Sequence, residues 1–343
     1  MTETTRVHEG SAGRAAESPT QVGRGWKDVA KRVVAESKKD HLTLVSAGVA
    51  FYFLIALIPA IAAVVSIYGF VANPEDVARQ MGDLLEAAPS AVRDLVTEQA
   101  ERVAATSDAA ASVGAIVSIL LALWAASAGC QHLIEAVNLA YDEEETRGFV
   151  KRRGLALMMT VGAVVFLSLA IGAIAVVPAL LSSAGLEGVA STLISIARWP
   201  VIAVVVILAL AMLYRYAPDR DEPRWSWASP GAIVATVVWL VASIAFSIYV
   251  TNFGSYNETY GSLGAVIIVM LWLFITALSI VLGAEINAEA ERQTARDTTK
   301  GPSQPMGSRD AYAADTVAGG HGEVRGAGEV TGSQAEESVP RRA

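Results

Sequence analysis

The sequence predicts an all-α integral membrane protein, a bundle of about six transmembrane helices with an added amphipathic extracytoplasmic helical segment. Two observations carry this prediction. Hydrophobic residues make up 53% of the chain and charged residues 17%, whereas roughly a quarter of a typical soluble domain is charged. The charges are also concentrated near the chain ends and in short loops, so that long stretches contain none. Such stretches are long enough to cross the hydrocarbon, which takes about 20 apolar residues.

The predicted transmembrane domain covers residues 25–293, between disordered tails at 1–24 and 294–343. Both tails are rich in Gly, Ser, Thr and Ala and lack hydrophobic periodicity, a composition typical of disorder. Within the domain we expect six spans, at about 43–72, 109–129, 155–182, 199–216, 229–251 and 262–284.

The fourth span is the shortest, because Arg198, Trp199 and Pro200 interrupt its apolar stretch. As an interfacial anchor, the arginine would snorkel, the indole would lie among the headgroups, and the proline would occupy the first helical turn. Alternatively, Arg198 lies inside the membrane and has a functional role. Both interpretations remain open at this stage.

Residues 74–107 have a different pattern, with apolar residues at spacings of three and four between acids and arginines. This pattern predicts amphipathic helices, broken at Pro89 and lying on the surface of the bundle. Seven acids against three bases make this outer segment acidic.

The basic residues predict the orientation, because short loops rich in Lys and Arg stay in the cytoplasm. Fifteen of them flank the spans on one side and four on the other. We therefore expect a multi-pass protein of the bacterial cytoplasmic (inner) membrane, with both termini in the cytoplasm.

A polar stripe continues from the second span. Its members recur at spacings of three and four, and His132 lies one residue beside it; they are Ser127, Gln131, Glu135, Asn138 and Asp142. On one helix they share a face, which a water-accessible path or a binding site would need. The alternative is that the helix leaves the membrane near Gly129 and the stripe is a solvated face.

Two further clusters are candidates for a polar path or binding site. Asn257 and Tyr260 lie at the outer ends of spans five and six, where an aromatic belt is the simpler interpretation. Glu285 and Asn287 lie at the polar end of span six, where a plain helix exit is the alternative.

The sequence offers no catalytic, metal-binding or cofactor-binding residues. Its four histidines are dispersed, Cys130 is its only cysteine, and it contains no phosphate-binding loop or nucleophile elbow. It has no basic stripe with interleaved aromatic residues, so nucleic acid is not an expected partner. The expected partners are the lipid bilayer, a small solute or ion, and further copies of the chain.

Five stretches resemble the YihY/BrkB family of bacterial inner-membrane proteins: AGVAFYFLIALIPAI at 47–61, WAASAGCQHLIEAVNLAYDEEETRGFVKRRGLALMMT at 124–160, LYRYAPDR at 213–220, YGSLGAVIIVMLWLF at 260–274 and GAEINAE at 283–289. They sample the chain from about 27 to 293. The resemblance implies a six-span membrane protein of unsettled biochemistry, labelled in the family both as a ribonuclease and as a serum-resistance virulence factor. It adds weight to the stripe and to 283–287.

Three functions are compatible with these features. The first is a transporter, exporter or channel-like protein in which Gln131, Glu135 and Asn138 line a path. The second is a membrane scaffold or envelope-organising protein that acts through the outer acidic segment and the tails. The third is a membrane enzyme, which the absence of paired catalytic carboxylates or metal ligands disfavours.

Overall fold

A computed structural model describes residues 14–68, 85, 89–105, 113–165, 187–252 and 262–318. Apart from one isolated β-bridge between Pro223 and Thr299, these residues form helices and their connections. The helices are α1 (Trp26–Lys39), α2 (Leu42–Tyr68), α3 (Ser90–Ala105), α4 (Val113–Ala140), α5 (149–165), α6 (Glu187–Tyr216), α7 (Trp225–Asn252), α8 (Ser262–Glu291) and the single turn α9 (Tyr312–Asp315).

Four of these helices are long and apolar enough to cross a membrane. They contain the candidate spans Leu42–Val65, Ile119–Ala140, Trp225–Thr251 and Gly264–Glu291, of 22 to 28 residues. Pro200–Tyr216 forms a shorter apolar stretch in α6, and α5 ends where the described residues stop within the third predicted span. The predicted fold class, an all-α integral membrane protein, is confirmed.

Two helices differ from their predicted bounds. α4 runs on to Ala140, so the polar stripe lies on the spanning helix as far as Asn138, and Asp142 lies just beyond the end of that helix. α6 begins at Glu187, which places Pro200 in the interior of a 30-residue helix and not in a first turn. The backbone tolerates this proline because neighbouring helices and local adjustment can satisfy the freed carbonyl.

Helix α2 packs along α4 and α8, and α8 also packs along α7, which in turn contacts α6. The closest crossing is between α7 and α8. A Cβ atom on Gly231 would lie 2.7 Å from Cγ of Asn287, and one on Gly283 would lie 2.7 Å from the carbonyl oxygen of Gly231. Small residues at both positions let the two backbones touch, a common device between transmembrane helices.

Helix α3 confirms the amphipathic pattern for the second half of the outer segment, and it starts directly after Pro89. Its buried face carries Val92, Val96 and Ala100, and it packs against Ile61 and Val65 of α2. The first half, 74–88, lies outside the described residues except for Leu85.

The disorder predicted for both tails is wrong for residues 14–24 and 294–318. The Arg14 carbonyl accepts a hydrogen bond from the Ala295 N–H at 2.9 Å, and the Thr294 hydroxyl donates to the Ala16 carbonyl at 2.6 Å. The Asp297 carboxylate accepts bonds from the N–H groups of Thr299 and Gln304. The segment's own turns and its contacts with the bundle therefore order a sequence whose composition is typical of disorder.

These segments join α1 and two loops into one polar layer at an end of the bundle. We call this layer the polar cap and define it as residues 14–40, 141–148, 217–224 and 289–318. Hydrogen bonds connect its parts, including Thr146 to Asp219, Arg224 to Thr298, and Tyr312 to Glu143.

Candidate functional site

Glu285 lies beneath the polar cap, in the last two turns of α8 and inside the candidate span Gly264–Glu291. It is only 2% exposed, and its Oε2 atom has no hydrogen-bond partner among the described residues. Burying an ionised carboxylate without a partner is costly. Among the described residues this makes Glu285 the most unusual acidic group in the bundle.

Four other carboxylates lie around Glu285. Beyond the effect of burial, the charges that act on it most strongly are those of Asp40, Glu289, Asp142 and Glu36, in that order. Asp40 follows the last turn of α1, and Asp142 follows α4. Asp142 adopts a left-handed backbone conformation, with a φ of 54°, which Asp tolerates better than most residues. We call these five residues the acidic cluster.

Three basic residues compensate part of this charge. Both Arg32 and Arg292 pair with the Glu289 carboxylate, Arg292 at 2.5 Å, and Arg32 also donates to the Glu289 carbonyl at 2.9 Å. Lys39 pairs with Glu36 at 2.7 Å. Asp142 lies farther out, 3.9 Å from both Lys39 and Arg292.

The pKa values of Asp40 and Asp142 reflect the incomplete compensation of the negative charge in the acidic cluster. Burial and then the nearby Asp142 carboxylate raise the pKa of Asp40. Burial is also the largest cause that raises the pKa of Asp142; Lys39 and Arg292 oppose it, and Glu36 and Glu289 add to it. Asp40 and Asp142 therefore take up protons more readily than isolated aspartates do.

Asn287 connects α8 to the start of α7. Its side-chain oxygen accepts a hydrogen bond from the Gly231 N–H at 2.7 Å, and its amide nitrogen donates to the Ala228 carbonyl at 3.1 Å. Asn287 is fully buried, and both of its polar atoms are used within the protein. Its position indicates a structural role that fixes α8 against α7.

The Tyr141 hydroxyl is another buried polar atom that has no hydrogen-bond partner within the described ranges. The ring packs 5.2 Å from the Arg220 guanidinium. Burial raises the pKa of this phenol far above its usual range, and the charges of Glu291 and Glu285 act in the same direction. Tyr141 is therefore a neutral hydroxyl beside the acidic cluster.

The last residue of α8 takes part in a buried ion pair. Arg220 and Glu291 pair at 2.8 Å with fully buried side chains, and the Thr298 hydroxyl donates to the same carboxylate at 2.7 Å. Sequence reasoning missed Arg220, Arg32 and Arg292 as partners of α8. The only signal for Arg220 was its place in the LYRYAPDR stretch, 71 residues before Glu291.

The polar stripe of α4 is engaged by groups near the start of α5 and in the connecting loop. The Gln131 oxygen accepts from Arg153 at 3.0 Å. Glu135 contacts Arg152 at 3.2 Å and His132 at 3.0 Å, and its side chain is 38% exposed.

The remaining stripe residues are also engaged. The His132 ring stacks on Tyr52 with centroids 3.5 Å apart. The Ser127 hydroxyl donates to the Trp124 carbonyl of its own helix, and Asn138 bonds Glu145 and the Asp219 N–H. The structure thus brings Glu285 close to Asp142 at the end of the stripe, whereas Asn257 and Tyr260 lie outside the described residues.

Comparison with known proteins gives a consistent family. The family model described as virulence factor BrkB matches residues 33–307. A ribonuclease-like protein, YfkH, of Bacillus subtilis (strain 168) is 30% identical over 258 residues, which cover 71% of this chain and 88% of YfkH. A UPF0761 membrane protein of Alteromonas mediterranea is 40% identical over 79 residues, covering 23% of this chain and 26% of that protein. A UPF0761 membrane protein of Tolumonas auensis is 37% identical over 79 residues, with the same coverage. No solved structure matches.

Proposed function

We propose that this chain, which belongs to the BrkB family of membrane proteins, moves a small solute or ion across the bacterial cytoplasmic membrane. In this proposal Glu285 is the ionisable side chain that the moving species meets.

The observation that carries the proposal is the burial of Glu285 without a counter-charge. Acidic residues inside transmembrane helices are rare, are normally paired, and mark ion or substrate pathways when they persist. Glu289 and Glu291, on the same helix, each have an arginine partner. Glu285 has none among the described residues, which favours a role other than stabilising the bundle.

Glu135 of the polar stripe is a weaker candidate than Glu285 for the side chain that the moving species meets. Glu135 is partly exposed and is compensated by Arg152 and His132. A glutamate in this position needs no substrate to explain it, because exposed ion pairs are common and worth little. It therefore serves as the matched control for Glu285.

The distribution of Lys and Arg supports a cytoplasmic position for the polar cap. Lys27, Lys31, Arg152 and Arg224 all lie within or beside it. With both termini in the cytoplasm, Glu285 would stand at the inner mouth of the path. The ribonuclease-like name of the Bacillus relative has no counterpart among the described side chains, where no group of three His, Cys, Asp or Glu residues is arranged to hold a metal ion.

The test is a thermal-shift screen of the purified chain, followed by flux. Na⁺, K⁺, glycine betaine and the common amino acids are added to wild type, Glu285→Gln and Glu135→Gln. Because a ligand that binds the folded state raises its melting temperature, a compound that shifts wild type and Glu135→Gln but not Glu285→Gln identifies the species to test. The proposal expects this compound, or protons, to enter proteoliposomes that contain wild type.

A different outcome of the same screen and flux assay would reject the proposal. If Glu285→Gln folds normally, no probe distinguishes it from wild type, and neither the probes nor protons cross vesicles that contain wild type, solute handling is rejected. The scaffold alternative then gains weight. Its own test is deletion of the outer segment 74–107, with function scored in cells.

A further inference from the structure

We propose that Glu285 and Asp40 form a proton-binding pair beneath the polar cap, and that the proton is the ion this site handles. The inference rests on the proposed function for its use in transport, but the binding of the proton is independent of transport. It follows from the charges around Glu285, from the burial of its carboxylate and from the more accessible position of Asp40.

The charge around the pair is incompletely compensated. The acidic cluster contains five carboxylates, and Arg32, Lys39 and Arg292 are the cations paired with them. Arg32 and Arg292 both bind Glu289, and Lys39 binds Glu36. In the described part of the chain, no basic nitrogen lies within 4.0 Å of the Glu285 or Asp40 carboxylate.

The acidic groups that act on Glu285 come from three parts of the chain, and they disfavour a second negative charge. The end of α1 contributes Glu36 and Asp40, the loop after α4 contributes Asp142, and α8 contributes Glu289. The Tyr141 phenol is also close by, and it is neutral. Two carboxylates that share a low-dielectric site bind one proton much more tightly than a single carboxylate in water does.

A proton fits this site better than a larger cation. The Oε2 atom of Glu285 is fully buried and has no hydrogen-bond partner in the part of the chain that the structure describes. No group of three ligand-type side chains is placed to hold a metal ion within the described ranges. Protonation removes the cost of burying the charge without requiring any space, and the resulting O–H is a hydrogen-bond donor.

Asp40 provides the connection to the surface. It lies in the turn between α1 and α2, is more accessible than Glu285, and is the carboxylate that acts most strongly on it. Burial and Asp142 raise the pKa of Asp40, so it can receive a proton from the solvent side. In the proposed step the proton leaves the Asp40 carboxyl and bonds to a carboxylate oxygen of Glu285. The transfer is direct or passes through one water molecule, and it leaves Asp40 ionised and Glu285 neutral.

The experiment is infrared spectroscopy of the purified full-length chain during a pH titration. A protonated carboxyl has a C=O stretch that an ionised carboxylate lacks. We expect wild type to show this band at neutral pH, Glu285→Gln to lose it, and the control Glu135→Gln to keep it. A neutral-pH spectrum that Glu285→Gln leaves unchanged would overturn the inference.

Asp40→Asn keeps the inference testable if Glu285→Gln does not fold. Removal of the neighbouring negative charge should shift the titration of the Glu285 band to lower pH, whereas independent groups would show no shift. Proton entry into proteoliposomes, read with an entrapped pH indicator, separates the two proposals. A band without flux of protons or of any probe leaves the proton site standing and refutes transport. If a solute crosses independently of the pH gradient and the band is absent, transport is supported and the proton site is refuted.

Discussion

Substituting Gly231 with alanine should force α7 and α8 apart at their closest crossing. The added methyl group would lie 2.7 Å from Cγ and Oδ1 of Asn287 and closer still to the Gly283 carbonyl oxygen. A backbone carbonyl cannot rotate away as a flexible side chain can. The helices must therefore separate, and the hydrogen bond from the Gly231 N–H to Asn287 must lengthen or break.

The expected loss of stability follows from three effects. Overpacking a close contact costs about 1–3 kcal/mol, and the loss of one buried hydrogen bond costs about 1 kcal/mol more. Alanine returns about 1 kcal/mol as the better helix former. The net expectation is a destabilisation of roughly 1–3 kcal/mol, measured as a lower melting temperature of the detergent-solubilised protein.

Gly48→Ala is the matched control, because Gly48 lies in the spanning helix α2 and a Cβ atom there meets nothing within 4 Å. This substitution should leave the melting temperature unchanged or raise it slightly. If Gly231→Ala melted no lower than Gly48→Ala, the two helices would not be in backbone contact. The account of the α7–α8 crossing would then be refuted.

Two further predictions concern the polar cap. Burial raises the pKa of Glu143 from 4.5 to about 7, so the folded state binds the extra proton, and this residue's contribution to stability falls as pH rises between those values. Between about pH 5 and about pH 8, the stability of Glu143→Gln relative to that of wild type should increase by roughly 1–3 kcal/mol. Melting curves at both pH values measure this change. A parallel pH dependence of stability in the two proteins would contradict the prediction. Arg220→Met leaves the buried Glu291 carboxylate unpaired and should cost about 3–5 kcal/mol. The double variant Arg220→Met/Glu291→Met should recover much of this loss, and additive losses in chemical unfolding would show that the pair is not coupled.

The four candidate spans that the structure describes were predictable because one property, the length of an uncharged apolar stretch, decides them. The starts of α2 at Leu42 and of α8 at Ser262 fall at or next to their predicted positions. The helix ends were less predictable. α4 continues to Ala140 because its polar residues have partners on α5 and in the next loop, which no local pattern reveals.

The site was only partly predictable. Glu285 and Asn287 could be selected because polar residues at the end of an apolar helix stand out. The difference between them could not be predicted, because it depends on partners far away in sequence. Asn287 has two partners on α7, whereas Glu285 has none among the residues that the structure describes. The ordered C-terminal segment was missed for the same reason. Its Arg309 is buried against backbone carbonyls, including that of Ala314 at 2.5 Å, although the composition around it predicts disorder.

The contact between the two ends of the described chain has a consequence for biosynthesis. Arg14 donates to the carbonyl of Ala318, 304 residues later. A ribosome adding about 5–20 residues per second would need about 15–60 s to supply this partner after Arg14 has been made. The polar cap over Glu285 can therefore be completed only after the described apolar helices have been translated. A chain that stops before residue 294 would carry the inserted helices with that end uncovered, and a protease that recognises exposed segments could distinguish it from the finished protein.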